Sequence, residues 1–361
     1  MSAPSTVLAD ASIRVISEGQ APSGAYVASP NFSQYGFAWL RDGAYCALAM
    51  DAVGEQESAA RFHRWATDVV LGERDQISRV VAALDRGDEV APGMMLPTRY
   101  TLDGEREGVD PDDAWPNFQL DGYGTWLFAL ERHMGDASPD DATSEAVELA
   151  ASYLAASWRM PCYDYWEEFG DRLHTSTLAA IAAGLRAAGR ILGRGAFLEE
   201  AATIMEFVHR ECVVDGAFVK GPDDPRVDAS LLSLATPFQL VGVEDPLVRA
   251  TVQRIRSELV SPTGGVRRYV GDTYFGGSPW LLLTAWLGWH LRIAGDDEGY
   301  LAARAWVEGH AGQSGWMAEQ ITDEPQDPAS VAPWVERWGA AANPLLWSHA
   351  KYLLMESEVP A

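Results

Sequence analysis

The chain is short of basic residues, of cysteine and of long apolar runs, and each shortage removes a class of function. Against 52 acids stand only 27 lysines and arginines, a net charge of −25 over 361 residues. Such a surface repels nucleic acid and anionic membrane, which need clustered cations. Solvated acids that aid solubility account for the excess. The three cysteines, Cys46, Cys162 and Cys212, are odd in number, widely spaced and free of any Cys-x-x-Cys pair. That pattern predicts reduced, buried thiols in the cytoplasm, not disulfides or a metal centre. No window approaches the run of about 20 apolar residues that a membrane helix requires. The start, Met1-Ser2-Ala3-Pro4-Ser5-Thr6-Val7, has neither the basic nor the apolar segment of a secretory signal.

Several catalytic signatures are missing as well. His63, His133, His174, His209, His290, His310 and His349 form no His-Glu-x-x-His motif and no closely spaced pair, so they read as core or surface residues and no metal is expected. There is no Gly-x-x-x-x-Gly-Lys phosphate loop and no Gly-x-Ser-x-Gly elbow. Cys162 has nothing beside it to activate a thiolate. No cofactor is implied. Carboxylate chemistry is left.

What is present centres on Cys162-Tyr163-Asp164-Tyr165-Trp166-Glu167-Glu168-Phe169-Gly170. Two adjacent acids inside an aromatic run lose water, and desolvation raises a carboxyl pKa by penalising the charged form. A carboxyl kept protonated near neutral pH can protonate a leaving oxygen. The same stretch also suits a helix N-terminus, where acids complement the dipole and aromatics fill core. Glu319, in Gly315-Trp316-Met317-Ala318-Glu319-Gln320, is a second acid beside an indole. Further aromatic and charged clusters occur at Tyr35-Gly36-Phe37-Ala38-Trp39-Leu40-Arg41-Asp42, at Trp115-Pro116-Asn117-Phe118-Gln119-Leu120-Asp121, at Arg267 to Trp280 and at Pro344-Leu345-Leu346-Trp347. Each lies just before a helix-like segment, as if loops at one end of many helices built a single pocket. Arg41-Asp42 reads equally as a sugar clamp or a structural ion pair, and the tryptophans as pocket walls or core.

These motifs, in this order from about residue 29 to 355, resemble the catalytic domain of glycoside hydrolase family 15, the glucoamylase-like enzymes, and most closely its short bacterial members that act on isomaltose and dextran. The resemblance implies an (α/α)6 barrel and an inverting, exo-acting hydrolysis that releases β-glucose from small α-glucosides. Isomaltose is the expected substrate, with trehalose or α-1,4 glucans as alternatives from the same family. It further implies that Glu167 is the general acid, Glu168 a substrate contact and Glu319 the general base. Tyr35, Trp39, Arg41, Asp42, Trp115, Trp166, Arg268 and Trp347 would shape the sugar pocket. Phe37 and Phe275 stand where many members carry Tyr, so two hydroxyls should be missing around that pocket. The N-terminal β-sandwich of many bacterial members has no counterpart. Barrel-shaped sugar epimerases are disfavoured because neither acidic cluster holds a histidine.

Hydrophobic periodicity predicts an all-α protein, with helices over roughly 42–53, 56–71, 74–86, 122–134, 141–157, 173–192, 196–212, 228–236, 246–259, 279–294, 298–310 and 345–356. The small apolar run Leu178 to Ala188 belongs inside, packed on all sides, whereas 246–256 sets arginines opposite an apolar stripe and belongs outside. A short hairpin is predicted around Asp215-Gly216. The long loop 86–119 is expected to wall the pocket. No linker divides the chain, so 1–361 reads as one catalytic domain whose partner is a small oligosaccharide, while its oligomeric state is not encoded in any motif.

Overall fold

A computed structural model of the chain describes residues 6–107 and 118–357. Thirteen α-helices dominate these residues, and helical pairs run down the chain as inner and outer partners. The inner ring comprises α2 (Leu40–Ala52), α5 (Asp121–Met134), α7 (Thr175–Ile191), a 3₁₀ helix (Ala229–Leu234), α10 (Leu281–Ile293) and α13 (Leu346–Glu356). Each touches the next, and α13 returns to α2, which closes the ring. Around it lie α1 (Thr6–Glu18) on α13, α3 (Gln56–Gly72) on α2, α6 (Asp141–Ser157) on α5 and α7, α8 (Gly195–Glu211) on α7, α9 (Pro246–Arg254) on the 3₁₀ helix and α11 (Asp297–His310) on α10. This is an (α/α)6 barrel. The helix α4 (Arg74–Asp85) packs outside α6.

Composition explains the layering. In α7 only Arg186, Arg190 and Ile191 escape full burial, because alanines and leucines occupy nearly every face. Its backbone meets α5 directly at two glycines. A Cβ on Gly184 would lie 2.6 Å from the Gly124 Cα, and one on Gly124 would lie 2.2 Å from the Ala180 carbonyl oxygen. No side chain fits there. Outer α9 buries only Val248 and Thr251, leaving its arginines to solvent.

The 228–236 segment is a 3₁₀ turn and not an α-helix; Pro237, which lacks an N–H and disfavours α conformation before it, follows at once. The hairpin forms as β3 (Val213–Val214) and β4 (Ala217–Phe218), with Asp215 and Gly216 at φ 51° and 78°. Beyond the predicted elements, α1 and α12 (Val331–Trp338) are helical, and β1 (Ala38–Trp39) pairs antiparallel with β2 (Arg99–Tyr100). The three cysteines are free and buried. Among the described residues no helix is long and apolar enough to cross a membrane.

Candidate active site

The segments that precede the inner helices meet at one end of the barrel. They enclose a cavity of about 610 Å³. Its wall includes Tyr35, Trp39, Arg41, Asp42, Trp166, Glu167, Glu168, Arg268, Glu319 and Trp347, every candidate from the sequence except Trp115, which lies outside the described residues.

Glu167 sits in a tight turn and not at a helix N-terminus; α7 begins only at Thr175. The turn holds Glu167 at φ 64° and Phe169 at φ 54°, left-handed geometry that costs a non-glycine residue roughly 1 kcal/mol or more. Asp164 fixes it. Its Oδ1 accepts from the Trp166 and Glu168 amides at 2.9 and 3.0 Å, and its Oδ2 lies 2.7 Å from the Lys220 ammonium. Lys220 also binds Asp228, which accepts the Trp166 indole N–H at 3.0 Å. A buried lysine between two carboxylates thus clamps the aromatic and the backbone on either side of Glu167.

The Trp39 indole N–H donates to Glu167 Oε1 at 2.8 Å, while the Tyr35 hydroxyl donates to Glu319 Oε1 at 3.0 Å and contacts the Tyr274 hydroxyl at 2.9 Å. Tyr35 and Trp39 meet edge to face with centroids 5.6 Å apart, so two touching rings anchor the two acids separately. Glu319 is 3% exposed, and its Oε2 has no hydrogen-bond partner among the described residues. Burial pushes Glu167 up to about 7, against the pull of Arg41 and the Trp39 indole. Burial pushes Glu319 up to about 8, against the Tyr35 hydroxyl and Arg268, with the Glu167 charge adding to the rise. Protons on two such neighbours leave in steps that belong to the pair.

Two buried arginines complete the floor. Arg41 lies 3.2 Å from both Asp42 and Asp121, donates to Gln119 and rests over the Trp347 ring at 4.8 Å. Arg41-Asp42 is therefore a structural ion pair that also lines the cavity. Arg268 forks onto Asp272, reaches Glu168 at 3.4 Å and is boxed by Trp166 and Trp280. Burial raises Glu168, with Arg268 opposing, and Tyr269 donates its hydroxyl to the same carboxylate.

Sequence reading missed part of the wall. Arg99 lines it from a strand of two residues, too short to carry a periodic signal. Tyr274 lay in a noted motif, but nothing in the sequence marked its partnership with Tyr35. The mouth is framed by Trp334, Arg337 and Trp338 of α12. The described part of the 86–119 loop contributes only Arg99 to the cavity. Phe37 and Phe275 are not wall residues: Phe37 lies against the Arg99 guanidinium at 4.3 Å, and fully buried Phe275 packs behind Tyr274 and Trp334.

Against known protein families, residues 5–324 match Glycosyl hydrolases family 15. The chain belongs to that family. It is a glycoside hydrolase. It is 41% identical over 360 residues to an isomaltose glucohydrolase of Kribbella flavida, covering 98% of this chain and 92% of that one. Trehalase 1 of Sulfolobus acidocaldarius is 27% identical over 259 residues, 70% of this chain and 45% of the trehalase. A solved glycosidase variant in complex with glucose superposes with a TM-score of 0.91 at 41% identity, covering 96% of this chain and 95% of its own.

Proposed function

We propose that the protein is an inverting, exo-acting α-glucosidase that cleaves isomaltose and short isomalto-oligosaccharides, with the chain working as one catalytic domain. The observation that carries this is the divided anchoring of two raised acids, Glu167 on the Trp39 indole and Glu319 on the Tyr35 hydroxyl, in one cavity. Glu167 donates its proton to the glycosidic oxygen as the C1–O bond breaks. Glu319 takes a proton from a water that attacks C1 from the opposite face, through the Oε2 that has no hydrogen-bond partner among the described residues. The products are β-glucose and the free leaving sugar, and each acid then exchanges its proton with solvent.

Arg41, Asp42, Arg268 and Glu168 hold the hydroxyls of the non-reducing glucose, since guanidinium and carboxylate present fixed donors and acceptors on the cavity floor. Trp347 and Trp166 supply apolar faces. The likeness to the Kribbella enzyme along nearly the whole chain supports isomaltose over trehalose. The free, buried cysteines suit a reducing compartment, which supports a cytoplasmic enzyme that meets imported short sugars.

Inversion requires room for water between the acids, so the two carboxyls should stand roughly 6.5–9.5 Å apart. Proton NMR of isomaltose hydrolysis should show an initial excess of β-glucose over its mutarotation equilibrium, since the non-reducing unit leaves as β and the reducing unit as the α/β mixture it already was. An initial excess of α-glucose over that equilibrium would reject the mechanism.

A further inference from the structure

At the end of the barrel away from the cavity, three helices bring Asp51, His63 and His133 together. Asp51 lies in the last turn of α2 and His133 in the last turn of α5, the helices whose first turns carry Arg41, Asp42 and Asp121. At 1.5 Å per residue, Asp51 stands roughly 14 Å along the helix from Asp42. His63 comes from outer α3. One ligand atom of each residue lies within 4.8 Å of the other two. His133 Nδ1 is 3.0 Å from both Asp51 oxygens, and the two imidazoles face each other with centroids 4.9 Å apart.

His63 supplies a second, independent observation. It is 4% exposed, and neither ring nitrogen has a hydrogen-bond partner among the described residues. A neutral imidazole carries one donor and one acceptor, and buried polar groups are nearly always paired. An imidazole orphaned at both nitrogens beside a carboxylate and a second imidazole is what a cation ligand looks like without its cation.

We propose that Asp51, His63 and His133 form a binding site for a divalent transition metal of the Zn²⁺ type. Two imidazole nitrogens and a carboxylate oxygen are ligands that Zn²⁺ takes at about 2.0–2.2 Å, whereas Mg²⁺ and Ca²⁺ prefer all-oxygen shells. Asp51 and His133 keep side-chain exposures of 21% and 20%, enough for the ion to enter and for water to complete a tetrahedral shell. The ion would tie the ends of α2 and α5 to α3 and take no part in hydrolysis. The sequence hides the site because its residues come from three separate helices and share no motif spacing.

The test uses untagged, chelator-treated full-length protein. Equilibrium dialysis with Zn²⁺ alone should give one ion per chain at micromolar or tighter affinity, and Co²⁺ alone should develop visible absorption bands of low-coordinate geometry. Zn²⁺ should also raise the Tm, as any ligand of the native state does. His133→Ala and Asp51→Asn, both at partly exposed positions, should each weaken binding at least tenfold and abolish the Tm rise. Circular dichroism checks that each variant is folded; if one is not, the other carries the test. Absence of saturable Zn²⁺ binding in the wild type, or unchanged binding in a folded variant, would overturn the proposal. None of these readouts depends on the sugar substrate.

Discussion

Glu167 and Glu319 share an environment but differ in the group that grips them. The Trp39 indole can only donate, so it favours the ionised form of Glu167, while leaving the other oxygen able to carry a proton. The Tyr35 hydroxyl favours the ionised form of Glu319. Glu167→Gln and Glu319→Ala should therefore each lower kcat by at least 10²–10⁴-fold with the fold intact, as measured on isomaltose with circular dichroism as control. On glucosyl fluoride, whose leaving group needs no proton, Glu167→Gln should recover much of its rate and Glu319→Ala should not. Wild-type turnover by Glu319→Ala would place the base elsewhere. The pair also sets the pH profile. Burial raises Glu167 to about 7 and Glu319 to about 8, so activity should be bell-shaped and centred between those values, where the free pair holds one proton. That order favours the proton on Glu319, and hydrolysis runs through the share of this state in which Glu167 carries it. Tyr35→Phe removes a bond that lowers the Glu319 pKa, so that pKa rises further. A base that must be ionised then suffers most in acid. The kcat/KM of Tyr35→Phe should fall roughly tenfold near pH 5.5, for a shift of about one unit, and progressively less above pH 8. An equal loss at every pH would mean that Tyr35 acts on substrate and not on Glu319.

Among the elements, the inner helices were legible and the pieces at the rim were not. The run from Leu178 to Ala188 has no polar face, so only an inner position fits it, and α7 is buried as that requires. The acids could be placed because they sit beside indole and phenol rings in recognisable motifs. By contrast α12 buries no residue fully and carries Pro333, so neither burial pattern nor propensity announces it. Trp338 packs against the core, while Trp334 meets Tyr274 edge to face at 4.9 Å and stacks on Phe275 at 6.0 Å. That contact depends on residues some 60 positions upstream, which local pattern cannot see. It also makes α12 the cover of the cavity mouth. Trp334→Ala removes ring contacts that contribute about 0.5–1.5 kcal/mol each. The expected result is a kcat/KM on isomaltose reduced roughly 2–10-fold and a ratio of isomaltotriose to isomaltose activity that rises, because the loosened mouth admits the third sugar. An unchanged ratio would show that α12 does not limit chain length.

At the scale of the molecule, an acidic surface and the cavity at one end of the barrel make separable statements about substrate. A net charge of −25 sets up a strong field, but a neutral sugar carries no charge for that field to steer. Hydrolysis of isomaltose should then keep its kcat/KM within about twofold from low salt to 0.5 M, where exposed charges are screened beyond a few ångströms. A steep salt dependence would point to a charged substrate and against the assignment. Length is a matter of the cavity. About 610 Å³, lined by Glu167 and Glu319 and by Trp334, Arg337 and Trp338 of α12, holds few sugar units. Binding energy from more distant units increases turnover only where the enzyme has contacts for them. Across isomaltose, isomaltotriose, maltose, trehalose and soluble starch, kcat/KM should be highest on isomaltose and fall with each added glucose. Faster cleavage of starch than of every disaccharide would mean that the mouth opens in solution. A preference for trehalose would leave the acids in their roles and reassign the second sugar site, whose walls at Trp334, Arg337 and Trp338 would then be the residues to exchange.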